Sequence, residues 1–361
     1  MRIEENKPLA AFTTFGIGGP ARWFVEAASE DEIVEATGWV RERGLKLFVL
    51  GGGSNLLVSD AGFDGLVLRV GLKGIRAHKG THPKNEPGDP WLYEVCAGED
   101  WNRFVEQVVQ DNCAGNECLA GIPGTVGGTP VQNVGAYGQE VSSTIGMVRA
   151  FDLRAGVFRE FTNAECAFAY RRSRFNTTDW GRYVVTRVDY YLRPGGAPTL
   201  RYADLQRAVQ ESGPAGREPS LTEVSAAVRR IRFGKGMLIV AGDPDCHSAG
   251  SFFKNPVVSE EQAAQIAASV GKEPPRFPAG PGQVKLPAAW LIEQAGYTKG
   301  YALGRAAISS RHTLALINLG ETGGRSGASA AEVLALADQI KAAVEARFGI
   351  QLEMEPVLVG F

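Results

Sequence analysis

Residues 121–138 read GIPGTVGGTPVQNVGAYG and contain six glycines. Glycine has no Cβ, so such a stretch either makes tight turns or brings the backbone very close to a ligand. A second cluster, GGGSN at 51–55, follows the apolar run Leu45–Leu50, the placement expected for an anion-binding turn after a strand. Taken alone, each loop fits a tight turn and an anion cradle equally well. Together they favour a dinucleotide, whose phosphates and rings need separate walls.

Two familiar nucleotide-binding patterns are weak or absent. The residues from Gly16 to Ala21 match G-x-G-x-x-A, but the segment 22–27 (RWFVEA) predicts a strand where a Rossmann fingerprint needs a helix. The chain contains no G-x-x-x-x-G-K-[ST] motif, so a P-loop is excluded. A dinucleotide site would therefore have to belong to another fold.

The bulk composition excludes several classes of protein. The chain has 361 residues, 44% hydrophobic and 22% charged, which predicts two or three globular domains and excludes disordered, collagen-like and coiled-coil structure. The formal net charge is −2 and there is no run of like charges, so a nucleic-acid or membrane-surface partner has little electrostatic support. No apolar stretch could cross a bilayer, and the polar N-terminus does not resemble a signal peptide. We therefore expect a cytoplasmic protein with no nucleic-acid or membrane partner.

Cysteine and histidine are too few and too scattered for a metal centre. The five cysteines form no C-x-x-C pair, and there are only four histidines. This pattern disfavours a disulfide framework and structural zinc. We expect no metal.

The hydrophobic pattern mixes helices and strands without a regular βαβ alternation, which predicts an α+β fold. The predicted helices cover Ser29–Gly44, the stripe from Trp101 to Val109, 222–233 and Val333–Phe348. The predicted strands cover Leu45–Leu50, Leu66–Val70, Leu92–Cys96, 146–153, 157–161, 183–193 and Gln351–Val359. The predicted loops or linkers are 79–90, 213–219 and the proline-rich stretch 271–284.

Seven motifs follow one another along the chain. They are TTFGIGG (13–19), LGGGSN (50–55), GIPGTVGG (121–128) continuing to QNVGAYG (132–138), YRRSRF (170–175), AGSFFKNP (249–256), AWLI (289–292) and the closing stretch 352–360. In this order they resemble the motifs of the UDP-N-acetylenolpyruvoylglucosamine reductase family, and the resemblance runs from Asn6 to Gly360. An ordered set of motifs is far more specific than any single glycine loop.

The resemblance implies a two-part FAD-binding α+β domain of the vanillyl-alcohol-oxidase type, with a smaller α+β substrate-binding domain. The implied boundaries are 1–75 and 76–210 for the two FAD-binding subdomains, 220–348 for the substrate-binding domain, and 349–361 for a C-terminal strand returning to the active site. The implied FAD contacts are Gly51, Gly52, Gly53, Ser54, Asn55, Gly121, Pro123, Gly124, Thr125, Gly127, Gly128, Asn133, Gly135, Ala136, Tyr137 and Gly138.

The resemblance also implies a reaction. NADPH would reduce FAD, and the flavin would pass a hydride to the enolpyruvyl ether of UDP-N-acetylglucosamine-enolpyruvate. The product would be UDP-N-acetylmuramate, a peptidoglycan precursor, in a step of cell-wall synthesis that also serves cell shape and division. The implied partners are NADPH and the UDP-sugar, and we expect a monomer.

Three residues match the catalytic positions of the family. Arg171 would hold the substrate carboxylate through its planar guanidinium. Ser251 would donate the proton, because a carbanion is basic enough to take it if the geometry is held. Glu355 lies beside the developing negative charge and would act protonated or hydrogen-bonded, so we expect its pKa to be raised.

Four further residues are implied substrate contacts. Lys235 would bind the diphosphate, Tyr202 matches a tyrosine of a loop that covers the substrate, and Asn255 matches a substrate-contacting asparagine. The family often continues from the lysine with Leu-Pro, where this chain has Gly236-Met237. His312 fits a contact to the substrate carboxylate or diphosphate and a structural histidine equally well.

Each catalytic candidate has an ordinary interpretation, and the function has two alternatives. Arg171 would usually be a surface charge, Ser251 a turn or cap residue, and Glu355 a solvent-facing strand residue. The alternatives are an FAD oxidase that reacts with oxygen without NADPH, and a sugar-nucleotide-binding module without catalysis. Only the ordered motifs place the three residues above their ordinary interpretations.

Overall fold

The computed structural model describes residues 1–80, 90–212, 216–320 and 327–361. These form two compact units, each discontinuous in sequence. The first consists of Met1–Lys7, Ala21–Gly52 and Asp64–Phe233, and the second of Pro8–Pro20, Gly53–Phe63 and Gly234–Phe361. The four-part division implied by the resemblance stays a prediction.

Helices and strands alternate irregularly along the chain. The α-helices in the described residues are α1 (Glu30–Glu42), α2 (Trp101–Gln110), α3 (Thr129–Gln132), α4 (Ala203–Ser212), α5 (Leu221–Gly234), α6 (Glu260–Val270), α7 (Ala288–Gln294) and α8 (Ala330–Phe348). The strands are β1 (Glu4–Pro8), β2 (Pro20–Ala27), β3 (Leu47–Leu50), β4 (Leu56–Val58), β5 (Phe63–Val70), β6 (Ile75–Lys79), β7 (Trp91–Cys96), β8 (Cys113–Ala114), β9 (Gly135–Ala136), β10 (Gln139–Glu140), β11 (Ile145–Asp152), β12 (Val157–Thr162), β13 (Tyr183–Pro194), β14 (Val257–Ser259), β15 (Phe277–Gly280), β16 (Gln283–Lys285), β17 (Ala302–Leu303), β18 (Ala306–Ile308), β19 (Leu316–Asn318) and β20 (Val357–Val359).

The first unit contains two larger sheets. One has the strand order β1-β2-β5-β3, with β3 and β5 parallel. The other runs β12-β11-β13-β7-β6, its neighbouring strands antiparallel, and β8 pairs with the end of β13. Helix α2 buries an apolar stripe, and its Phe104 ring lies 5.0 Å from the ring of Tyr190 on β13. The Trp101 indole N–H donates to the Leu119 carbonyl over 3.2 Å, so this large side chain is buried with its polar atom satisfied.

The second unit is held together by short sheets and by helix α8. Its sheets are β14-β16-β15, β17-β18-β19 and the parallel pair β20-β4. A capping box between Ser329 and Glu332 starts α8, and Gly349 ends it at a φ of 64°. The Asp60 carboxylate also accepts the Ala330 and Ala331 N–H groups, over 2.8 and 3.1 Å. This cap and the β4–β20 pairing explain why residues 53–63 belong with the second unit.

The observed elements confirm the α+β prediction, and the predicted helices occur within a few residues of their expected ends. The proline-rich stretch 271–284 is different: part of it forms the β15–β16 hairpin, not a loop. Proline is tolerated in β15 because that strand pairs on one side only and its other edge needs no N–H donor. The loop predicted at 79–90 and the linker predicted at 213–219 lie partly outside the described residues.

The predicted last strand, Gln351–Val359, is also wrong in its extent. Only β20 pairs in a ladder, and Met354 forms an isolated antiparallel bridge with Phe253. Pro356 separates the two pairings, since proline has no N–H to donate to a ladder. Glu355 therefore lies on an irregular stretch just before β20.

None of the described helices is both long and apolar enough to cross a bilayer. The described residues also contain no group of three or more His, Cys, Asp or Glu side chains arranged to hold a metal ion. All five cysteines are free thiols.

Candidate active site

The two glycine clusters meet in the first unit. A Cβ built on Gly52 would lie 2.5 Å from the Gly124 Cα, and one built on Gly51 would lie 3.0 Å from the Thr125 Oγ1. A Cβ on Gly127 would lie 2.6 Å from the Ala97 Cβ. Gly52 thus lets backbone pack on backbone, and Gly51 and Gly127 lie close to the side chains of Thr125 and Ala97. At these three positions the missing Cβ serves packing within the first unit.

Two observations on the second glycine loop fit a bound cofactor. The Thr125 Oγ1 is buried and has no hydrogen-bond partner among the described residues. A Cβ on Gly128 would meet nothing within 4 Å, and Gly128 has an ordinary right-handed φ of −76°. A buried, unpaired hydroxyl and a glycine facing open space are what a polar ligand across this loop requires. The residues present therefore fit a flavin nucleotide.

The first cluster is divided between the two units. Gly51 and Gly52 belong to the first unit, whereas Gly53, Ser54 and Asn55 belong to the second. A Cβ on Gly53, whose φ is 62°, would clash with the Phe12 carbonyl oxygen at 1.8 Å. The Asn55 Nδ2 donates to the Glu355 carbonyl over 3.1 Å, and the Asn55 carbonyl accepts the Val357 N–H over 3.0 Å. Asn55 thus fixes the segment that carries Glu355, a structural role that its motif did not suggest.

The segment 133–140 contains the tight β9–β10 hairpin, and its backbone is partly left-handed. Asn133 has a φ of 43°, Tyr137 of 49° and Gly138 of 84°. Burial raises the pKa of the Tyr137 hydroxyl, against the lowering effect of Arg232. The Tyr137 and Tyr202 rings meet edge to face with centroids 6.3 Å apart, so a predicted cofactor residue and a predicted substrate residue lie side by side. A Cβ on Gly138 would lie 2.8 Å from the Arg201 Cβ.

Arg171 lies at the tip of a closed turn. Ala169 and Arg172 exchange both backbone hydrogen bonds, over 2.9 and 3.0 Å, and Arg171 between them has a φ of 56°. The Arg171 guanidinium lies 5.5 Å from the Tyr170 ring. A bulky residue held in this conformation is uncommon and typical of a functional constraint. The turn fixes the backbone position from which the Arg171 side chain extends.

Arg232 is a candidate that sequence reasoning missed. It is buried on α5, and its Nε donates to the Gly121 carbonyl of the second glycine loop over 3.1 Å. Burial lowers the pKa of Arg232 to about 10; Tyr137 acts in the opposite direction and Arg171 in the same one. The signal was present: Val224 and Val228 predict the apolar side of this helix, and Arg232 continues it at the i+8 position. Burying an arginine on that face costs free energy unless its guanidinium is paired or hydrogen-bonded, and the bond to Gly121 satisfies its Nε.

In the second unit, the backbones of two predicted catalytic residues are neighbours. The Glu355 N–H donates to the Phe252 carbonyl over 2.9 Å, and the Lys254 N–H donates to the Glu353 carbonyl over 2.9 Å. Ser251 directly precedes Phe252, after a turn at Gly250 with a φ of 73°. Ser251 is half-buried, and its hydroxyl makes no hydrogen bond with a described residue.

The predicted diphosphate contact Lys235 lies near His312. Burial first, and then the positive charges of Lys235 and Lys299, lower the pKa of His312 to about 4, against the effect of Glu293. The imidazole is therefore neutral at pH 7. Lys299 was not singled out from the sequence, because an isolated lysine on a predicted surface carries no signal.

Asn255 has a structural partner. Its Oδ1 accepts the Ala288 N–H over 2.9 Å and so satisfies an N–H of the first turn of α7, while the Nδ2 group is available to donate to a substrate. Asn255, Lys235 and His312 belong to the second unit, whereas Tyr202 belongs to the first. Arg171 likewise belongs to the first unit, and Ser251 and Glu355 to the second. The roles of all these residues stay predictions.

The free energy of unfolding should decrease as the pH falls from 6.5 toward 4. In that range His312 is protonated in the unfolded chain but neutral in the folded protein. The pKa of His312 in the folded protein, about 4, lies below the ordinary histidine pKa of 6.5, so the unfolded chain binds the proton first. Stability is then complete above pH 6.5, and on the order of 2 kcal/mol is lost by pH 4.5. Urea unfolding of the wild type and of His312→Gln at pH 7 and 4.5 measures this contribution as the difference in pH dependence. The control is His78→Gln, since His78 is exposed. Equal pH dependence in all three proteins would contradict the partly buried, neutral imidazole of His312.

Two family models match parts of this chain. A family model for the C-terminal domain of UDP-N-acetylenolpyruvoylglucosamine reductase matches residues 243–359, and a model for an FAD binding domain matches residues 21–158. The UDP-N-acetylenolpyruvoylglucosamine reductase of Streptomyces coelicolor is 46% identical over 98% of this chain and 90% of its own length. That of Thermobifida fusca is 44% identical over 98% of this chain and 97% of its own.

A solved structure extends the likeness to the fold. The crystal structure of UDP-N-acetylenolpyruvylglucosamine reductase from Thermus caldophilus is 27% identical, covers 99% of both chains and superposes with a TM-score of 0.66. The predictions of an FAD-binding domain and of the family are confirmed. With a relative 46% identical along almost its full length, the chain belongs to the UDP-N-acetylenolpyruvoylglucosamine reductase family.

Proposed function

We propose that this chain uses NADPH to reduce the enolpyruvyl ether of UDP-N-acetylglucosamine-enolpyruvate to UDP-N-acetylmuramate. The observation that carries the proposal, within a family whose members bear this reductase name, is the hydrogen bond between Glu355 and Phe252. Because Ser251 directly precedes Phe252, this bond brings the predicted proton donor close along the backbone to Glu355. We keep the expectations that the protein is cytoplasmic and that it is a monomer. Sedimentation of the purified protein would test the oligomeric state.

FAD would be held along the two glycine clusters, with the Thr125 hydroxyl and the open face of Gly128 turned toward it. When bound, it supplies a carrier that accepts a hydride from NADPH and gives it to the substrate. The protein's part is to bind, to orient and to stabilise charge. Arg232 supports the second glycine cluster by donating a hydrogen bond to the carbonyl of Gly121.

Arg171 would bind the carboxylate next to the carbon that becomes negatively charged. A guanidinium stays protonated and offers parallel N–H donors to a planar carboxylate. Because negative charge grows on that group during the reaction, the interaction is stronger in the transition state than in the bound substrate. Arg171 therefore contributes to rate as well as to binding.

Ser251 would deliver the proton, and Glu355 would act beside it. A serine hydroxyl is a poor acid in water, so it needs a strongly basic carbon and a fixed position. The turn at Gly250 and the pairing of Phe252 with Glu355 supply the fixed position. Since the Ser251 hydroxyl is not engaged by a described residue, it is available to a substrate.

Lys235 would bind the diphosphate of the substrate, with Lys299 adding positive charge near His312. A neutral imidazole can donate one hydrogen bond to a phosphate oxygen without bringing a further charge. An ammonium group binds phosphate as a point charge, which suits a flexible diphosphate.

The test is an anaerobic experiment on the purified holoprotein. We expect an oxidised-flavin absorbance spectrum, bleaching on addition of NADPH, and recovery of the spectrum on addition of the enolpyruvyl substrate. Recovery only on admission of oxygen, with no effect of the substrate, would instead favour the FAD oxidase. A protein that binds the sugar nucleotide but is never bleached would be the binding module.

A further inference from the structure

The buried side chain of Asn133 connects two candidate elements of the first unit. Its Nδ2 group donates to the Glu140 carboxylate over 2.9 Å and to the Ala169 carbonyl over 3.0 Å. Its Oδ1 accepts the Ser142 N–H over 3.2 Å. Asn133 lies in the glycine-rich motif, whereas Ala169 opens the turn that carries Arg171.

We propose that Asn133 is the positioning residue of Arg171 and that its side chain does not contact FAD. The proposal rests on the proposed function, because it gives Arg171 its role as the carboxylate-binding residue. It differs from what the motif implied, which was a cofactor contact.

The hydrogen-bonding capacity of an asparagine side chain carries the first step. Its amide has two N–H donors and one carbonyl acceptor. Both donors and the acceptor of Asn133 are engaged within the protein, and the side chain is 1% exposed. No donor is left for a flavin, and a ligand that displaced one of these bonds would leave a buried polar group unpaired.

The second step is the geometry of the turn. Ala169 and Arg172 exchange two backbone hydrogen bonds. One lone pair of the Ala169 carbonyl is used in this exchange, and the second can accept a hydrogen bond from outside the turn. The Asn133 amide binds there. On the other side, the Asn176 Nδ2 donates to the Arg171 carbonyl over 3.1 Å. Two asparagine side chains therefore hold the turn, one through the Ala169 carbonyl and one through the Arg171 carbonyl.

The third step is backbone strain. Arg171 has a φ of 56°, a left-handed conformation that is unfavourable for a residue with a large side chain. Such a conformation persists only where the surrounding structure imposes it. Without the bond from Asn133, we expect the turn to relax and the guanidinium to leave the position that binds a carboxylate.

The variant Asn133→Gly isolates the side chain, because glycine adopts the φ of 43° found there without strain. We expect FAD binding and the rate of flavin reduction by NADPH to stay within 3-fold of the wild type. The rate of reoxidation by the enolpyruvyl substrate should fall 10-fold or more, and the substrate Kd should rise. The matched control is Asn163→Ala, whose Nδ2 also donates to two backbone carbonyls, those of Ser142 and Ile145 rather than that of Ala169 in the turn. It should leave both half-reactions near normal.

Trypsin gives a readout independent of activity. The turn contains Arg171 and Arg172, and its closed backbone protects the bonds that follow them. Asn133→Gly should be cut there at least 10-fold faster than the wild type and than Asn163→Ala. Loss of FAD binding, with equal losses in both half-reactions and no new cleavage, would overturn the proposal and return Asn133 to the cofactor site.

A double variant separates this proposal from the proposed function. If Asn133 acts through Arg171, adding Asn133→Gly to Arg171→Ala should slow reoxidation by less than 2-fold further. A full additional loss would overturn the positioning role. If Arg171→Ala alone leaves reoxidation unchanged, then the proposed function of Arg171 fails, whatever Asn133 does to the turn. If Asn133→Gly does not fold, Asn133→Asp combined with Glu140→Gln keeps the shape, removes the donor to Ala169 and avoids two facing carboxylates, and the same outcomes apply.

Discussion

Ser251→Ala should abolish most of the second half-reaction while leaving the first intact. Removing a general acid costs on the order of 10²–10⁴-fold in rate, so reoxidation of the reduced flavin by substrate should slow by about 1,000-fold. Reduction of the flavin by NADPH should change by less than 2-fold, since no proton from Ser251 is needed there. Anaerobic stopped-flow absorbance measures the two steps separately.

The control for this variant is Ser269→Ala, which removes an exposed hydroxyl that donates only to the Ile266 carbonyl of its own helix. It should behave as the wild type in both steps. Ser251→Cys keeps an acidic hydrogen at the position and should retain part of the rate. Equal losses of both half-reactions in Ser251→Ala would remove Ser251 from the role of proton donor.

Gly52→Ala should destabilise the first unit and abolish FAD binding. The added methyl carbon would lie 2.5 Å from the Gly124 Cα and 2.8 Å from the Thr125 N, so backbone would have to move rather than a flexible side chain. Overpacking of this kind costs about 3 kcal/mol of unfolding free energy or more. Because the same contact joins the two glycine loops, we expect the Kd for FAD to rise at least 100-fold. Thermal unfolding and flavin titration of the apoprotein measure the two effects.

Two other glycines serve as controls for Gly52. Gly38 lies inside α1 with open space around its Cβ position, so Gly38→Ala should raise the unfolding free energy by about 0.5–1 kcal/mol. Gly128→Ala has space in the protein as well and should leave the stability of the apoprotein unchanged. If FAD lies where we propose, Gly128→Ala should nevertheless weaken FAD binding. Unchanged stability and flavin affinity in Gly52→Ala would contradict the close packing of the two loops.

The local signals in the sequence predicted much of the fold. The helix predicted at Ser29–Gly44 occurs as α1, which the Ser29 side chain caps, and the helix predicted to end at Phe348 is terminated there by Gly349 in a left-handed conformation. These features depend on residues a few positions apart, which is the range over which propensity and capping act. The β15–β16 hairpin was missed because a run of prolines ordinarily predicts a loop, and the edge position that tolerates them depends on the rest of the sheet.

The candidate site was predictable in its residue types and not in its contacts. The motifs singled out Asn55, Asn133 and Asn255, yet the side chain of each holds another part of its own unit in place. Such partners lie far away in the chain, and no local pattern encodes them. Arg232 had a signal on the apolar side of its helix, but only the fold shows that its Nε reaches the second glycine loop.

The most direct test of the central claim is the balance of the complete reaction. The purified holoprotein is incubated without oxygen with NADPH and UDP-N-acetylglucosamine-enolpyruvate, and the NADPH consumed is compared with the UDP-N-acetylmuramate formed. We predict equal amounts of the two, with no NADPH consumed when the enolpyruvyl substrate is omitted beyond that needed to reduce the bound flavin. Consumption of NADPH that requires oxygen, yields hydrogen peroxide and forms no UDP-N-acetylmuramate would contradict the account.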